Sequence, residues 1–222
     1  MSTWMRLVAE GCRLRRLRAI EEQLALAGFG RVAGVDEAGR GALAGPVVAA
    51  AVIPDPSRPV PGVDDSKVLT AERRELLAPW VRSSALAWAV VAVDAATIDR
   101  TDILQATRLA MRRALAALAV RPDAVITDAV PFDDLGVPCL AVIKGDALCH
   151  AVACASILAK VERDRMLCEL DREHPVYGLA EHKGYGAPAH LEVLRSFGPS
   201  PVHRLTFGRV LPRRGCRLPE AA

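Results

Sequence analysis

The sequence predicts an α/β fold with a mixed sheet. Two apolar runs close together at the start read as an antiparallel pair. Strand-like and helix-like segments then alternate, as they do when parallel strands are joined through helices. The 222 residues suffice for one well-cored domain with a small appendage, and no internal repeat is present.

In chain order, Leu17, Ile20, Leu24 and Ala27 share one helical face and Gly28 follows as a stop, which predicts a helix over 14–27. Strands are expected over 32–36 and 47–53. Pro54, Pro56, Pro59 and Pro61 then make a loop, because proline lacks the N–H that a helix interior or a central strand needs. Thr70 opens a second helix over 70–81, and a third strand follows over 86–93. Leu104, Met111, Leu115 and Leu118 set a strong helix over 101–118, ended by Arg121-Pro122. Two short strands, 124–128 and 138–143, flank a turn-rich piece. A long alanine-rich helix over 151–170 closes at His174-Pro175. Glycine and proline then punctuate a loop, a last helix over 188–197 and a tail. These boundaries divide the chain into an N-terminal helical segment (1–30), a core (31–176) and a C-terminal extension (177–222).

With 51% hydrophobic and 25% charged residues and a net charge of +3, the composition is that of an ordinary globular protein and does not announce a nucleic-acid binder. Basic residues do cluster at Arg13, Arg15, Arg16 and Arg18, at Arg112 and Arg113, at Lys160, Arg163 and Arg165, and at Arg213, Arg214 and Arg217. Each cluster is a solvated face or part of a duplex-binding surface. None of the six cysteines forms a Cys-x-x-Cys pair, which disfavours zinc, and Cys139, Cys149 and Cys154 read as buried reduced thiols. No apolar run approaches the roughly 20 residues of a membrane span. The first residues lack a signal-peptide core, so a cytoplasmic protein without membrane contact is expected.

The segment Gly34-Val35-Asp36-Glu37-Ala38-Gly39-Arg40-Gly41 carries the chemistry. Carboxylates at a strand end can hold a hard divalent cation. Glycines allow a ligand close to the backbone, and Arg40 can grip a phosphate. An acidic turn between two strands is the alternative. Phosphodiester hydrolysis calls for an in-line water and two divalent ions about 3.5–4 Å apart, held by acids from separate strands. Asp128 and Asp146 also follow apolar runs; singly, each could instead cap a helix or begin a turn. Neighbouring strand residues point to opposite faces, so Asp36 and Glu37 reach one site only if the strand bends at Glu37. In that reading Asp36 bridges two ions and Glu37 serves one. Ser156, Lys160 and Asp164 are spaced by four on a helix and share a face too polar for core, with Asp164 paired to Lys160. Lys67 and Lys183 are candidates for phosphate contacts. His182, His190 and His203 are not at zinc spacing and default to the surface, with a supporting role open for His182.

The chain resembles the ribonuclease HII family, the bacterial type 2 ribonucleases H. Further matches follow in the family's order: Asp65-Ser66-Lys67, Ile103-Leu104-Gln105-Ala106-Thr107, Met111-Arg112-Arg113, Val142-Ile143-Lys144-Gly145-Asp146, Ala155-Ser156-Ile157-Leu158-Ala159-Lys160-Val161, Arg163-Asp164-Arg165 and His182-Lys183-Gly184-Tyr185-Gly186. The resemblance spans about 19–207. It implies a ribonuclease H-like sheet flanked by helices, with a small helical C-terminal extension that contacts substrate. It implies that Asp36, Glu37, Asp128 and Asp146 are catalytic ligands of two Mn²⁺ or Mg²⁺ ions. It implies an endoribonuclease acting on RNA–DNA hybrids and on DNA duplexes containing ribonucleotides, serving replication and repair; nothing in the sequence suggests an obligate oligomer, so a monomer is expected.

By the same resemblance, the backbone of Gly39, Arg40 and Gly41 meets the ribose 2′-hydroxyl, and Tyr185 helps read it and packs on the next sugar. That hydroxyl distinguishes RNA from DNA. Lys67, Ser156, Lys160 and Lys183 complete the expected substrate contacts. A junction resolvase or a non-catalytic nucleic-acid module is the rival reading. The chain departs from the family pattern at Ala42, usually Pro, and at Ala129, usually Gly. Alanine can pass the second turn unless φ is positive there.

Overall fold

The protein is described here by a computed structural model covering residues 2–210. Its elements run α1 (Thr3–Leu17), α2 (Ala19–Leu26), β1 (Val32–Ala38), β2 (Val47–Ile53), α3 (Ala71–Ser84), β3 (Ala87–Val93), α4 (Ala95–Arg100) and α5 (Ile103–Ala116). Then come β4 (Ala124–Asp128), β5 (Cys139–Val142), α6 (Gly145–Leu148), α7 (His150–Glu173), a single 3₁₀ turn (Pro175–Tyr177), α8 (Leu179–His182) and α9 (Pro188–Phe197). Arg213, Arg214, Arg217 and Cys216 lie outside the described residues.

The strands form one mixed sheet in the order β3-β2-β1-β4-β5. The β1–β2 and β2–β3 pairs are antiparallel, and β1–β4 and β4–β5 are parallel. Every residue of β2 is buried, which explains its unbroken apolar run: helices cover both faces, so no polar alternation survives. On one face Ala33, Val35, Ala49 and Ala51 pack with Ala106, Ala110, Met111 and Ala114 of α5. On the other, Ala38, Ala50 and Val52 pack with Ala153, Ile157 and Leu158 of α7 and Leu77 and Val81 of α3. Gly34 makes the closeness of α7 possible. A Cβ there would lie 2.1 Å from the Ala151 carbonyl carbon, so any side chain would force the helix off the sheet.

Several boundaries differ from the sequence reading. The helix expected over 14–27 is two helices broken at Arg18, and the first starts at Thr3. Leu17 is the one buried residue across α1 and α2, so these helices show little core-facing periodicity. The helix expected over 101–118 starts at Ile103, where the Asp102 carboxylate caps the Gln105 N–H at 2.8 Å. A separate helix, α4, precedes it, capped by Asp94. The long helix runs past its expected end to Glu173. The four-residue helices α6 and α8 are too short for periodicity to show. Cys149 and Cys154 are buried and Cys139 is half-buried, all three as free thiols.

After α7 the chain builds its own apolar cluster. Tyr177, Leu179, Leu194 and Val210 close on Leu43, Ala44 and Leu167. The extension is therefore anchored to the segment that follows Gly39-Arg40-Gly41. Among the described residues no helix is long and apolar enough to cross a membrane.

Candidate active site

Strand register brings two of the acids together. Val35 of β1 pairs with Thr127 of β4, so Asp36 and Asp128 leave neighbouring parallel strands at the same level. Asp146 arrives from α6, just past a left-handed residue, Lys144 (φ 59°). Asp36, Asp128 and Asp146 each offer a carboxylate oxygen, and these oxygens lie within 4.8 Å of one another. Asp36 is 3% and Asp146 2% exposed. Burial, with the Glu37 and Asp128 charges, holds the Asp36 carboxyl well above the usual carboxylate range, against the pull of the Ser156 hydroxyl. Burial raises Asp128 as well, although its Oδ1 accepts the Gly145 N–H at 2.9 Å. Asp146 does not cap α7: that helix begins at His150, its N-cap is Cys149, and no side chain caps it.

Glu37 lies beside this trio of oxygens without being one of them. The expected bend is absent, because β1 runs on to Ala38 with unbroken register, Glu37 opposite Ala49 and Ala38 opposite Val48. Alternation starts the Glu37 side chain on the face opposite Asp36, yet its carboxyl stands close enough to the strand end to feel the charges of Asp128 and Lys67. Its Oε1 accepts from Arg40 Nη1 at 3.3 Å, while the buried Oε2 has no partner. Burial pushes this carboxyl up to about 7 despite the neighbouring Arg40 charge.

Lys67 reaches the acids from the loop before α3. Its Nζ donates to Asp146 Oδ2 at 2.8 Å. Burial opposes the ammonium charge, but the Asp146 hydrogen bond and the surrounding carboxylates outweigh it and keep Lys67 above the usual lysine range. Ser156 is buried, contrary to the polar face expected of it. Its hydroxyl is hydrogen-bonded to the Ser66 hydroxyl at 2.8 Å, which ties the Lys67 loop to α7. Lys160 donates to Asp164 at 2.6 Å, the pairing the spacing predicted.

Gly39, Arg40 and Gly41 pass directly under the C-terminal extension. Gly39 has φ +97°, and a Cβ on it would fall 1.9 Å from Arg163 Nε. Arg163 is fully buried, not part of a basic surface cluster. It donates to the carbonyls of Pro46 (3.1 Å), Ala44 (3.2 Å) and Lys183 (3.0 Å), and its guanidinium lies 5.4 Å from the centre of the Tyr185 ring. The Leu43 N–H donates to the Gly184 carbonyl at 2.7 Å. The Tyr185 ring edge thus stands beside Gly41, in ordinary contact distance of where a Cβ would be. Arg204, equally buried, donates to Gly45 O and Arg40 O, both at 3.0 Å, and leaves Nη2 unpartnered. Burial lowers its pKa to about 9. Lys183 turns away from the acids; its ammonium donates to the Ala180 carbonyl and to Cys168 Sγ.

Sequence reasoning missed the inward arginines, and it placed His190 and His203 at the surface, where they are buried. A signal for Arg163 was present: Ala155, Ala159, Arg163 and Leu167 recur every four residues along one buried stripe of α7. Nothing comparable marked the histidines, whose burial depends on hydrogen bonds across the extension.

A family model for ribonuclease HII matches residues 33–210. The ribonuclease HII of Solibacter usitatus is 51% identical over 203 residues, covering 91% of this chain and 89% of that protein. That of Rhodococcus erythropolis is 47% identical, with 100% and 98% covered. Among solved structures, ribonuclease H2 of Pyrococcus horikoshii superposes with a TM-score of 0.70 at 29% identity, over 81% of this chain and 95% of that one. Similarity of this extent, across a span that contains every acid of the pocket and both turns beside it, places the chain in the ribonuclease HII family, and it is a ribonuclease H, an endonuclease of the hydrolase class.

Proposed function

We propose that this ribonuclease H cuts the RNA strand of RNA–DNA hybrids and cuts 5′ of ribonucleotides embedded in DNA duplex, leaving 3′-hydroxyl and 5′-phosphate ends. It would act as a cytoplasmic monomer in DNA replication and repair. The observation that carries the chemistry is the convergence of Asp36, Asp128 and Asp146 to within 4.8 Å. Three like charges in a mostly buried pocket are costly unless a cation screens them. The donor set is all oxygen, and Glu37 Oε2 waits nearby without a partner, so the residues present fit hard divalent ions. Two such ions, Mn²⁺ or Mg²⁺, held by Asp36, Asp128 and Asp146 with Glu37 serving one, would activate the attacking water and neutralise the leaving 3′-oxygen.

The remaining residues bind and select. Gly39, Arg40 and Gly41, held from behind by Arg163 and Arg204, present backbone to a ribose 2′-hydroxyl, and the Tyr185 ring covers the neighbouring sugar. A site built around a hydroxyl rejects the analogue that lacks it, because its polar groups are then left unpaired. The largely exposed Lys67 and Arg40 are placed to meet phosphates, each already resting on a carboxylate. Lys160 and Lys183, committed to Asp164 and to Ala180, are left with supporting roles, as is Ser156. The free thiols, including buried Cys149 and Cys154, suit a reducing compartment.

The test is a DNA duplex carrying one ribonucleotide, incubated with and without Mn²⁺ or Mg²⁺. Metal-dependent cutting 5′ of the ribonucleotide is expected. A 2′,3′-cyclic phosphate product would refute the mechanism, since it requires the 2′-hydroxyl as nucleophile.

A further inference from the structure

Two buried histidines lie behind the tyrosine loop, and their protons have a single consistent arrangement. His190 is 0% and His203 1% exposed. The Ser200 backbone N–H points at His203 Nδ1 at 3.0 Å, and an N–H can only donate, so Nδ1 carries no proton. The Ser200 hydroxyl lies 2.8 Å from the same nitrogen. The one proton of the neutral ring therefore sits on Nε2. That nitrogen faces His190 Nε2 at 2.9 Å, which must then accept. The His190 proton is left on Nδ1, 2.8 Å from the Tyr185 carbonyl. A carbonyl can only accept, so the far end demands the same tautomer independently.

The chain of donors thus runs one way, from Ser200 through both rings to Tyr185. A second proton on either ring would set two N–H groups head to head. The titratable groups facing the pair are His182 of α8, stacked on His190 at 4.3 Å, His174 at the end of α7, and Tyr177, whose ring meets His203 at 4.6 Å. His182 is fixed in the same manner: Nδ1 accepts the Gly184 N–H and Nε2 donates to the Tyr177 carbonyl. Burial, then the neighbouring histidine, pushes His203 down to about 4, and burial also lowers His190.

We propose that His190 and His203 are positioning residues for substrate reading: their hydrogen-bond chain fixes the Tyr185 backbone and so aims its ring at the ribose. This rests on the role of Tyr185 proposed above. The ring itself is 40% exposed, so its direction is set chiefly by the backbone that carries it and by Arg163 beneath it. Gly184 is pinned to Leu43 on one side, and the Tyr185 carbonyl to His190 on the other.

The first measurement is ¹⁵N NMR of the full chain with labelled histidine at pH 6.5. The expected result is neutral Nδ1–H for His190 and neutral Nε2–H for His203; any other tautomer or a charged ring overturns the proposal, whether or not variants fold. The second is steady-state cleavage of a duplex with one ribonucleotide. In His190→Gln the amide sits at the Nε2 level and no longer reaches Tyr185, so KM should rise about tenfold. His190→Asn keeps an N–H at the Nδ1 level and should recover most of that loss. On a Tyr185→Ala background, His190→Gln should add nothing, whereas a purely structural role would add its full cost. If Tyr185→Ala impairs cleavage while His190→Gln matches wild type, the positioning role is overturned and the reading of Tyr185 stands. If Tyr185→Ala itself matches wild type, the reading of the loop falls and the proposal falls with it.

Discussion

Ala129→Gly should stabilise this protein, although it removes a side chain beside the acidic pocket. Ala129 has φ +57°, the left-handed region, directly after Asp128. Holding an L-residue there costs about 1–2 kcal/mol, because Cβ crowds the following carbonyl oxygen. Glycine lifts that cost but gives the unfolded chain extra freedom, which offsets about 0.4–1 kcal/mol. The methyl is exposed, so little packing is lost. The Ala129 N–H bond to Val142 O, 3.0 Å, uses backbone atoms and survives. The net gain is about 0.5–1 kcal/mol, or a Tm rise of about 2 °C for a chain of this size. Calorimetry and urea unfolding in metal-free buffer measure it. A lower Tm in the glycine variant would refute the reasoning and mean that the left-handed turn is not strained.

Asp36→Asn should abolish nearly all turnover while duplex binding persists, and the metal-free variant should be no less stable, since one buried like charge is gone; wild-type turnover would place the chemistry elsewhere. Asp164→Asn, outside the acidic cluster, should be mild in the same assay. Tyr185→Phe and Tyr185→Ala should show a graded loss, alanine the worse, within roughly 5- to 150-fold for a hydrogen bond and ring contact of about 1–3 kcal/mol. Metal dependence should be unchanged, as Tyr185 is no ligand. Burial lowers buried His150 to about 4 from an ordinary 6.5. Its unfolded form therefore binds the proton first, and stability should fall as pH drops from 6.5 towards 4, by about 2 kcal/mol at pH 5 from this residue. Urea unfolding across that range, compared with His150→Gln, isolates the contribution; identical slopes would refute it.

What the sequence revealed followed from local chemistry. Strand β2 was legible because seven consecutive apolar residues between breakers have few other uses. Asp36 stood out as a candidate because a strand-end carboxylate before a glycine turn can hold a cation, although an acidic turn fits the same residues. The straight course of β1 through Glu37 was not legible. It depends on pairing with Ala49 and Val48, and the neighbouring glycines suggested a bend that this pairing prevents. Arg163 looked like a surface residue because its charge is satisfied by three carbonyls distant in sequence. Ser156 looked too polar for the core for the same reason, its partner Ser66 being 90 residues away. The turn at Ala129 was stated as a condition on φ, and its sign had to come from the fold.

Helix α7 sets a molecular ruler. Ser156, which tethers the Lys67 loop beside the acids, and Arg163, which lies under Tyr185 and against Gly39, are both on this helix. Seven residues separate them, about 10 Å of helical rise and close to two full turns. Under the proposed function, the step between the bond to be broken and the sugar to be recognised would be written as a length of rigid helix, pressed onto the sheet at Gly34. Inserting one residue between Ser156 and Arg163 would lengthen that step by about 1.5 Å and swing the two ends about 100° out of phase. In that reading, where the strand is cut relative to the ribonucleotide would be a property of helix geometry as much as of the acids.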